Sequence, residues 1–181
     1  GRFRRLVIAG INSIADDVKW RIAAQFAANL PALYDRVFRA VIRDSYNTME
    51  QKVWLETSTM VADMVKSLSL PHQTAKQLAE TMDIVMNVLF GPEFKNEVLD
   101  ITGDNVVIIV RRCPILFHAS HSGLTGEETF NKCMALTLGS VPVLNKEFSA
   151  RFVRTMCSGD RQCEIKIQKV PAPVSSTGKD T

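Results

Sequence analysis

The chain has 181 residues, of which 46% are hydrophobic and 23% charged, and its formal net charge is +3. This length and composition are those of a globular domain with a substantial core, which argues against a disordered chain. The small net charge, without a block of like charges, argues against direct nucleic-acid binding. No apolar run approaches the roughly 20 residues that cross a bilayer, so we expect no membrane contact and a cytoplasmic location with reduced or metal-bound thiols.

The first half of the chain, residues 11–90, has the periodicity of helices. In the first predicted helix, the apolar residues Ile14, Val18, Ile22 and Phe26 recur every four positions. Pro31 is expected to end this helix, because proline lacks an amide hydrogen and restrains the residue before it. Three further helices are predicted over about residues 33–41, 54–68 and 75–89, with breaks at 43–47 and 69–71 and an end at 91–92.

From residue 97 the period changes to that of β-strands. Residues 97–102 and 106–112 flank a turn at 103–105 and predict a hairpin, whose second strand is apolar on both faces and therefore central. Residues 118–126 are predicted as a loop and 127–138 as a helix that Gly139 and Pro142 end. Residues 154–167 are predicted as two strands joined by the turn at 158–160, with Cys157 and Cys163 at their inner ends.

These elements predict an α+β fold, in which an N-terminal helical half packs on a small antiparallel β-sheet with one crossing helix. We expect a single ligand-binding domain over residues 1–170. It would comprise a helical half (11–90) and a cysteine-bearing sheet half (97–170). The proline- and serine-rich residues 171–181 are expected to form a flexible tail.

The sheet half contains all four cysteines, Cys113, Cys133, Cys157 and Cys163. If the last two strands pair, Cys157 and Cys163 lie close enough to bind one metal or to form one disulfide. All four can converge at one edge of the sheet, where four thiolates would suit tetrahedral zinc or an iron–sulfur cluster. The alternative is that small, apolar cysteine side chains simply fill the core.

Two histidines follow Cys113 closely. On a helix, His118 and His121 would share a face and could join a metal or act as acid and base. The neighbouring serines and Gly123 favour an exposed loop instead. No phosphate-binding loop or nucleophile elbow is present.

An apolar ligand could lie between the helices and the central strand. Flexible methionines and aromatic side chains can line such a cavity, although more often they form ordinary core. The residues predicted to contact the ligand are Trp20, Trp54, Met82, Met86, Val106 and Ile108.

The segment Cys157-Ser158-Gly159-Asp160, with Cys163 and the alternating strand after it, resembles the end of the vinyl-4-reductase (V4R) domain. Cys113-Pro114 after a strand and Cys133 on the next helix resemble the related L-2-amino-thiazoline-4-carboxylate hydrolase-like family. The resemblance implies a sensing module with zinc beside an apolar pocket, in a fold shared with small Golgi-tethering subunits.

The resemblance also implies a set of metal ligands. Cys133, Cys157 and Cys163 match the cysteine ligands of the zinc-bearing sensors, which take their remaining ligand from a carboxylate near the final turn. Arg154 stands at that place here, so Cys113 would substitute.

The leading hypothesis is therefore a regulatory domain that binds or senses an apolar small molecule and carries a cysteine-ligated zinc or iron–sulfur site. The alternative is a hydrolase that opens a small heterocycle such as an amino-thiazoline carboxylate, with a cysteine, a metal-bound water or the two histidines taking part. A third interpretation is a homodimer that pairs through its helical face.

Overall fold

The structure, a computed structural model, describes residues 10–171. Within these residues, five α-helices and a four-stranded antiparallel sheet of order β1-β2-β4-β3 confirm the predicted α+β class. The helices are α1 (Asp16–Ile42), α2 (Tyr46–Ser67), α3 (Ala75–Phe90), α4 (Pro114–His121) and α5 (Gly126–Leu144). The strands are β1 (Lys95–Thr102), β2 (Asn105–Arg112), β3 (Phe148–Arg154) and β4 (Cys163–Lys169). The predicted flexible tail beyond residue 171 lies outside the described residues.

The core lies where α3 and α5 pack against the sheet. Its buried side chains come mainly from α3, β2 and β4, and include Leu78, Met82, Ile108 and Ile165. Helix α2 packs on the outer side of α5, and α1 crosses α3 and α4. None of the helices within residues 10–171 is long and apolar enough to cross a bilayer.

Helix α1 runs through Pro31, so the predicted break is wrong. The helix buries Ala24, Ala28 and Ala32 together with Asp35, and this packing outweighs the hydrogen bond that a proline cannot make. The side chain of Ala24 comes so close to the end of α3 that a Cβ on Gly91 would lie 2.8 Å from it. The small side chains of α1 therefore set its docking distance.

Several large apolar residues of α1 face outward. Ile22 is 59% exposed and Phe26 66%, although their four-residue spacing is that of a buried stripe. The face that packs inward is the alanine face. The apolar period therefore identifies the helix but not its buried side.

The hairpin of β1 and β2 and the central place of β2 are confirmed. β2 pairs with β1 on one side and with β4 on the other, where Ile108 lies opposite Ile165 and Val110 opposite Cys163. The two strands predicted within residues 154–167 are only partly correct. β3 ends at Arg154, and Cys157 lies in a 3-10 turn, Met156–Ser158, before β4 begins at Cys163.

The connection between β2 and β3 contains two helices rather than one. Helix α4 begins with Pro114 in its first turn, so the predicted loop at 118–126 is wrong for residues 118–121. Helix α5 continues past Gly139 and Pro142 to Leu144. A Cβ on Gly139 would lie 2.5 Å from the hydroxyl of Ser58, so this glycine allows α5 to approach α2 closely instead of ending the helix.

Candidate ligand cavity and buried charge cluster

A cavity of about 40 Å³ lies between α3, α5 and one face of the sheet. Most of its walls are apolar, and its polar members are Asn96, Lys132 and Thr137. Its size suits a few water molecules or a very small apolar molecule. A larger ligand would therefore have to displace side chains.

Four of the predicted ligand residues line this cavity: Trp54, Met82, Met86 and Ile108. The other two lie elsewhere. The indole of Trp20 donates a hydrogen bond to the carbonyl oxygen of Val88 at 3.1 Å, where α1 crosses α3. Val106 is completely buried in the core at the start of β2, opposite Ile167.

Three of the four cysteines, Cys113, Cys133 and Cys163, line the same cavity. Cys157 lies beside it in the 3-10 turn, and Cys163 accepts a hydrogen bond from the backbone amide of Met156 at 3.3 Å. All four are free thiols, so the alternative of a disulfide between Cys157 and Cys163 is not realised. The fold thus brings the cysteines together, as expected from their positions on neighbouring elements.

Burial favours the protonated form of Cys113, Cys133 and Cys157. Desolvation raises the pKa of Cys113 to about 11, and the neighbouring thiols of Cys163 and Cys157 add to the shift. Desolvation also raises the pKa of Cys133 and of Cys157. Because the thiolate is the nucleophile, burial makes Cys113, Cys133 and Cys157 less reactive than exposed thiols.

The predicted metal-binding character is wrong. Within residues 10–171, no group of three His, Cys, Asp or Glu side chains is placed to hold a metal ion. The expectations of zinc and of an iron–sulfur cluster at Cys113, Cys133, Cys157 and Cys163 have no support from these contacts. Arg154, the residue at the place of the expected carboxylate ligand, instead lies 3.6 Å from Glu164.

The two histidines lie near the end of α4. Burial lowers the pKa of His118, and the nearby His121 lowers it further. The Nδ1 atom of His121 lies 2.8 Å from the carbonyl oxygen of Phe117, one turn earlier. Neither histidine lines the cavity, so the structure does not bring these side chains to the cysteines.

A cluster of charged side chains joins α1, α2 and α5, and the sequence reasoning missed it. We call it the charge cluster; its members are Asp35, Arg39, Glu50, Glu128 and Lys132. Lys132 is 1% exposed and Asp35 0%, and the ammonium of Lys132 donates a hydrogen bond to the Asp35 carboxylate. The signal was present in the four-residue spacing of Asp35 and Arg39, which places both on one face of a helix.

Each carboxylate of the charge cluster has a different environment. Burial alone would raise the pKa of Asp35, but Arg39 and Lys132 outweigh it and hold the pKa below its usual value. Burial raises the pKa of Glu50, and the attraction of Lys132 offsets only part of this effect. Glu128 belongs to the capping box of α5, where it accepts a hydrogen bond from the amide of Thr125 at 2.7 Å.

An open groove of about 470 Å³ separates α1 from α2; we call it the α1–α2 groove. Four aromatic side chains, Tyr34, Phe38, Tyr46 and Trp54, form part of its walls, and Glu50 is among its lining residues. Trp54 also lines the cavity. The α1–α2 groove and the cavity are therefore neighbours that share a wall.

Searches of protein-family models and of curated proteins find no match to this chain. A solved structure does match: subunit 3 of the trafficking protein particle complex from Naegleria fowleri, covalently bound to palmitic acid. The TM-score is 0.58 at 13% sequence identity, and the match covers 81% of this chain and 97% of that chain. At this identity the similarity establishes a shared fold.

These comparisons overturn the resemblance drawn from the cysteine segments. No family model supports the V4R domain or the hydrolase-like family, and the structural match is to a subunit of a trafficking complex. The identification with those families is therefore wrong, and the metal-binding and hydrolase-like character that it implied is unsupported.

Proposed function

We propose that this chain is a binding domain for an apolar small molecule, acting as a regulatory sensor, and that the ligand occupies the cavity between α3, α5 and the sheet. The observation that carries the proposal is the composition of the cavity wall. Aromatic, methionine and thiol side chains surround a space with only three polar residues, Asn96, Lys132 and Thr137. Ligand sites typically combine an apolar wall with a few polar groups that orient the ligand.

The small volume of the cavity is compatible with binding because of what surrounds it. Met82 and Met86 are unbranched and adopt many rotamers, so they can move aside for a ligand at small cost. The thiols of Cys113 and Cys133, whose pKa burial raises, present a weakly polar surface that an apolar molecule can contact without burying a charge. Palmitic acid bound to a protein of similar fold is a further reason to test long acyl chains.

A thermal-shift series tests this proposal. Alcohols and fatty acids of increasing chain length, up to palmitate, are added, and a ligand at a hundredfold excess over its dissociation constant should stabilise the protein by about 3 kcal/mol. Cys133→Leu fills part of the cavity and should abolish the shift. Cys157→Ser, at a cysteine outside the cavity lining, should leave it unchanged. A shift that is equal in both variants, or no shift with any ligand, would contradict the proposal.

A second candidate function is assembly with a second copy of this chain through α1. It is favoured by the outward-facing apolar residues of that helix: Phe26 is 66% exposed, Val37 56% and Val41 78%. The structurally similar protein is a subunit of a complex. Sedimentation equilibrium tests this candidate. Val41→Asp should convert a dimer to a monomer, whereas Ile101→Asp, at an apolar residue of β1 that is 59% exposed, should not.

The free thiols support a cytoplasmic location as part of the same proposal. All four cysteines are unpaired although they lie close together. Such thiols persist in a reducing compartment and would tend to pair in an oxidising one. Mass spectrometry of the protein isolated under thiol-trapping conditions would show four trapped thiols if this is correct.

A further inference from the structure

We propose that the α1–α2 groove is a second binding site, which takes a small protonated amine with an apolar body and holds it by the aromatic walls and the Glu50 carboxylate. This site is distinct from the cavity and does not depend on the function proposed for it.

The first observation is the shape and composition of the α1–α2 groove. Its volume of about 470 Å³ lies within the usual range for small-molecule sites. Tyr34 and Phe38 stack on each other at 5.7 Å between ring centroids, yet 52% and 46% of these residues remain exposed. The groove therefore offers aromatic surface that nothing within residues 10–171 covers completely.

The second observation is an incompletely satisfied carboxylate on Glu50, one of the residues that line the same groove. Glu50 is 8% exposed, and its Oε1 atom accepts a hydrogen bond from the hydroxyl of Tyr46 at 3.1 Å and lies 3.2 Å from Nζ of Lys132. Its Oε2 atom is buried and has no hydrogen-bond partner in the part of the chain that the structure describes. Buried polar atoms without partners are rare in folded proteins, so such an atom indicates a missing donor.

The charge cluster explains why Glu50 is the member that lacks a partner. It contains three carboxylates, Asp35, Glu50 and Glu128, but two cations, Arg39 and Lys132. Asp35 contacts both cations, and Glu128 is further stabilised by the N-terminus of α5. Glu50 is therefore the carboxylate of the charge cluster whose negative charge is least neutralised by neighbouring groups.

A protonated amine fits both observations at once. Its charge would pair with Glu50, and aromatic faces attract ammonium groups, as the guanidinium of Arg39 already shows by lying 4.6 Å from the ring centroid of Tyr46. A carboxylic acid would add negative charge beside Glu50, and an alcohol would leave the charge deficit uncorrected. The ligand class is thus set by the head group, and the apolar walls require the apolar body.

The test uses three probes that share one body and differ in the head group: phenylbutylamine, phenylbutanol and phenylbutyrate. Calorimetric titration at neutral pH is expected to show about tenfold tighter binding of the amine than of the alcohol, and the weakest binding for the acid. Phe38→Ala should weaken the binding of all three, because Phe38 contacts the shared body. Cys133→Leu, in the cavity, should leave all three unchanged.

The decisive variant is Glu50→Gln, which keeps the shape of the side chain and removes its charge. The amine should then bind about as tightly as the alcohol, whose own affinity should not change. Glu56→Gln, at an exposed glutamate of the same helix, should keep the tenfold preference. Circular dichroism checks that both variants are folded. If Glu50→Gln does not fold, the three-probe comparison in the unaltered protein and the Phe38→Ala variant still test the proposal.

Four results would overturn the proposal, three from the binding measurements and one from sedimentation. In the binding measurements, the unaltered protein could bind the amine and the alcohol with equal affinity, or the preference for the amine could survive Glu50→Gln. The third contrary result is that none of the three probes binds. If the protein also sediments as a dimer that Phe38→Asp dissociates, then the groove is covered by a second copy of the chain and is no amine site.

Discussion

Lys132 on α5 donates a hydrogen bond from Nζ to Oδ2 of Asp35 on α1, although 97 residues separate them in the chain. Both side chains are almost completely buried. The bond joins α1, the first helix of the fold, to α5, which packs on the sheet. It also places a charged network within one side-chain length of the apolar cavity, because Lys132 contributes to the wall of both.

This contact makes Lys132 a large determinant of stability. We expect Lys132→Met to lower the free energy of unfolding by about 3–5 kcal/mol, because it leaves the buried carboxylates of Asp35 and Glu50 without their shared cation. Urea denaturation measures the change. Lys146→Met, at an exposed lysine, serves as the control and should change stability by less than about 0.5 kcal/mol. Equal effects of the two substitutions would show that the charge cluster contributes little to stability.

The start of α5 provides a second prediction. A Cβ on Gly126 would lie 1.9 Å from the carbonyl oxygen of Cys157, so the helix can approach the 3-10 turn only because this residue is glycine. Gly126→Ala should therefore destabilise the protein by about 1–3 kcal/mol, although alanine is the better helix former.

Gly103→Ala is the matched control for this substitution. A Cβ at Gly103 would have no neighbour within 4 Å, so the change should be neutral or should stabilise by up to about 1 kcal/mol. Thermal unfolding of the two variants distinguishes them. If Gly126→Ala is as stable as the parent, then the turn around Cys157 adjusts easily and does not fix the position of its thiol.

The sequence predicts strands and helix breaks best where local chemistry decides them. The hairpin of β1 and β2 follows from period-two apolarity around a turn, and the end of α3 follows from Gly91. It predicts poorly where packing outweighs propensity. Pro31 and Gly139 both lie inside helices, and a docking distance between helices cannot be inferred from local sequence alone.

The candidate site could likewise be predicted from the sequence only in part. The convergence of the cysteines could be predicted, because their positions on neighbouring elements of one sheet bring them together. Their contacts could not, since the shift of Cys157 into a 3-10 turn depends on where β3 ends. The charge cluster was missed because its members come from three helices, and one of them, Lys132, lies in a segment whose composition predicts only a helix.

The raised pKa of Cys113 predicts a loss of stability at alkaline pH. The folded protein holds this thiol neutral up to a pKa of about 11, whereas the unfolded chain releases the proton near 9. The stabilisation is therefore complete below about pH 9 and is lost as the pH rises through about 11. The difference between these two pKa values corresponds to about 2–3 kcal/mol of unfolding free energy.

Comparison with Cys113→Ala isolates this effect from the titration of lysines and tyrosines. In urea denaturation under reducing conditions, the difference in stability between the parent and the variant should shrink as the pH rises over this range. Cys157→Ala controls for the general loss of a thiol, and its smaller burial should give a weaker dependence. Parallel profiles for the parent and Cys113→Ala would show that the thiol is solvated.

The last prediction concerns the cavity itself. Met82 is 2% exposed and lines the cavity, so Met82→Ala should enlarge it and lower the free energy of unfolding by about 2–5 kcal/mol. Met60→Ala, at a methionine that is 69% exposed, should have an effect below about 0.5 kcal/mol. Benzene has to displace Met82 to enter the parent cavity of about 40 Å³, whereas the enlarged cavity admits it without that displacement. At a concentration tenfold above its dissociation constant for Met82→Ala, benzene should therefore return about 1.4 kcal/mol of stability to that variant and less to the parent and to Met60→Ala. If benzene has no selective effect on Met82→Ala, then the surrounding helices have collapsed into the space that the Met82 side chain leaves.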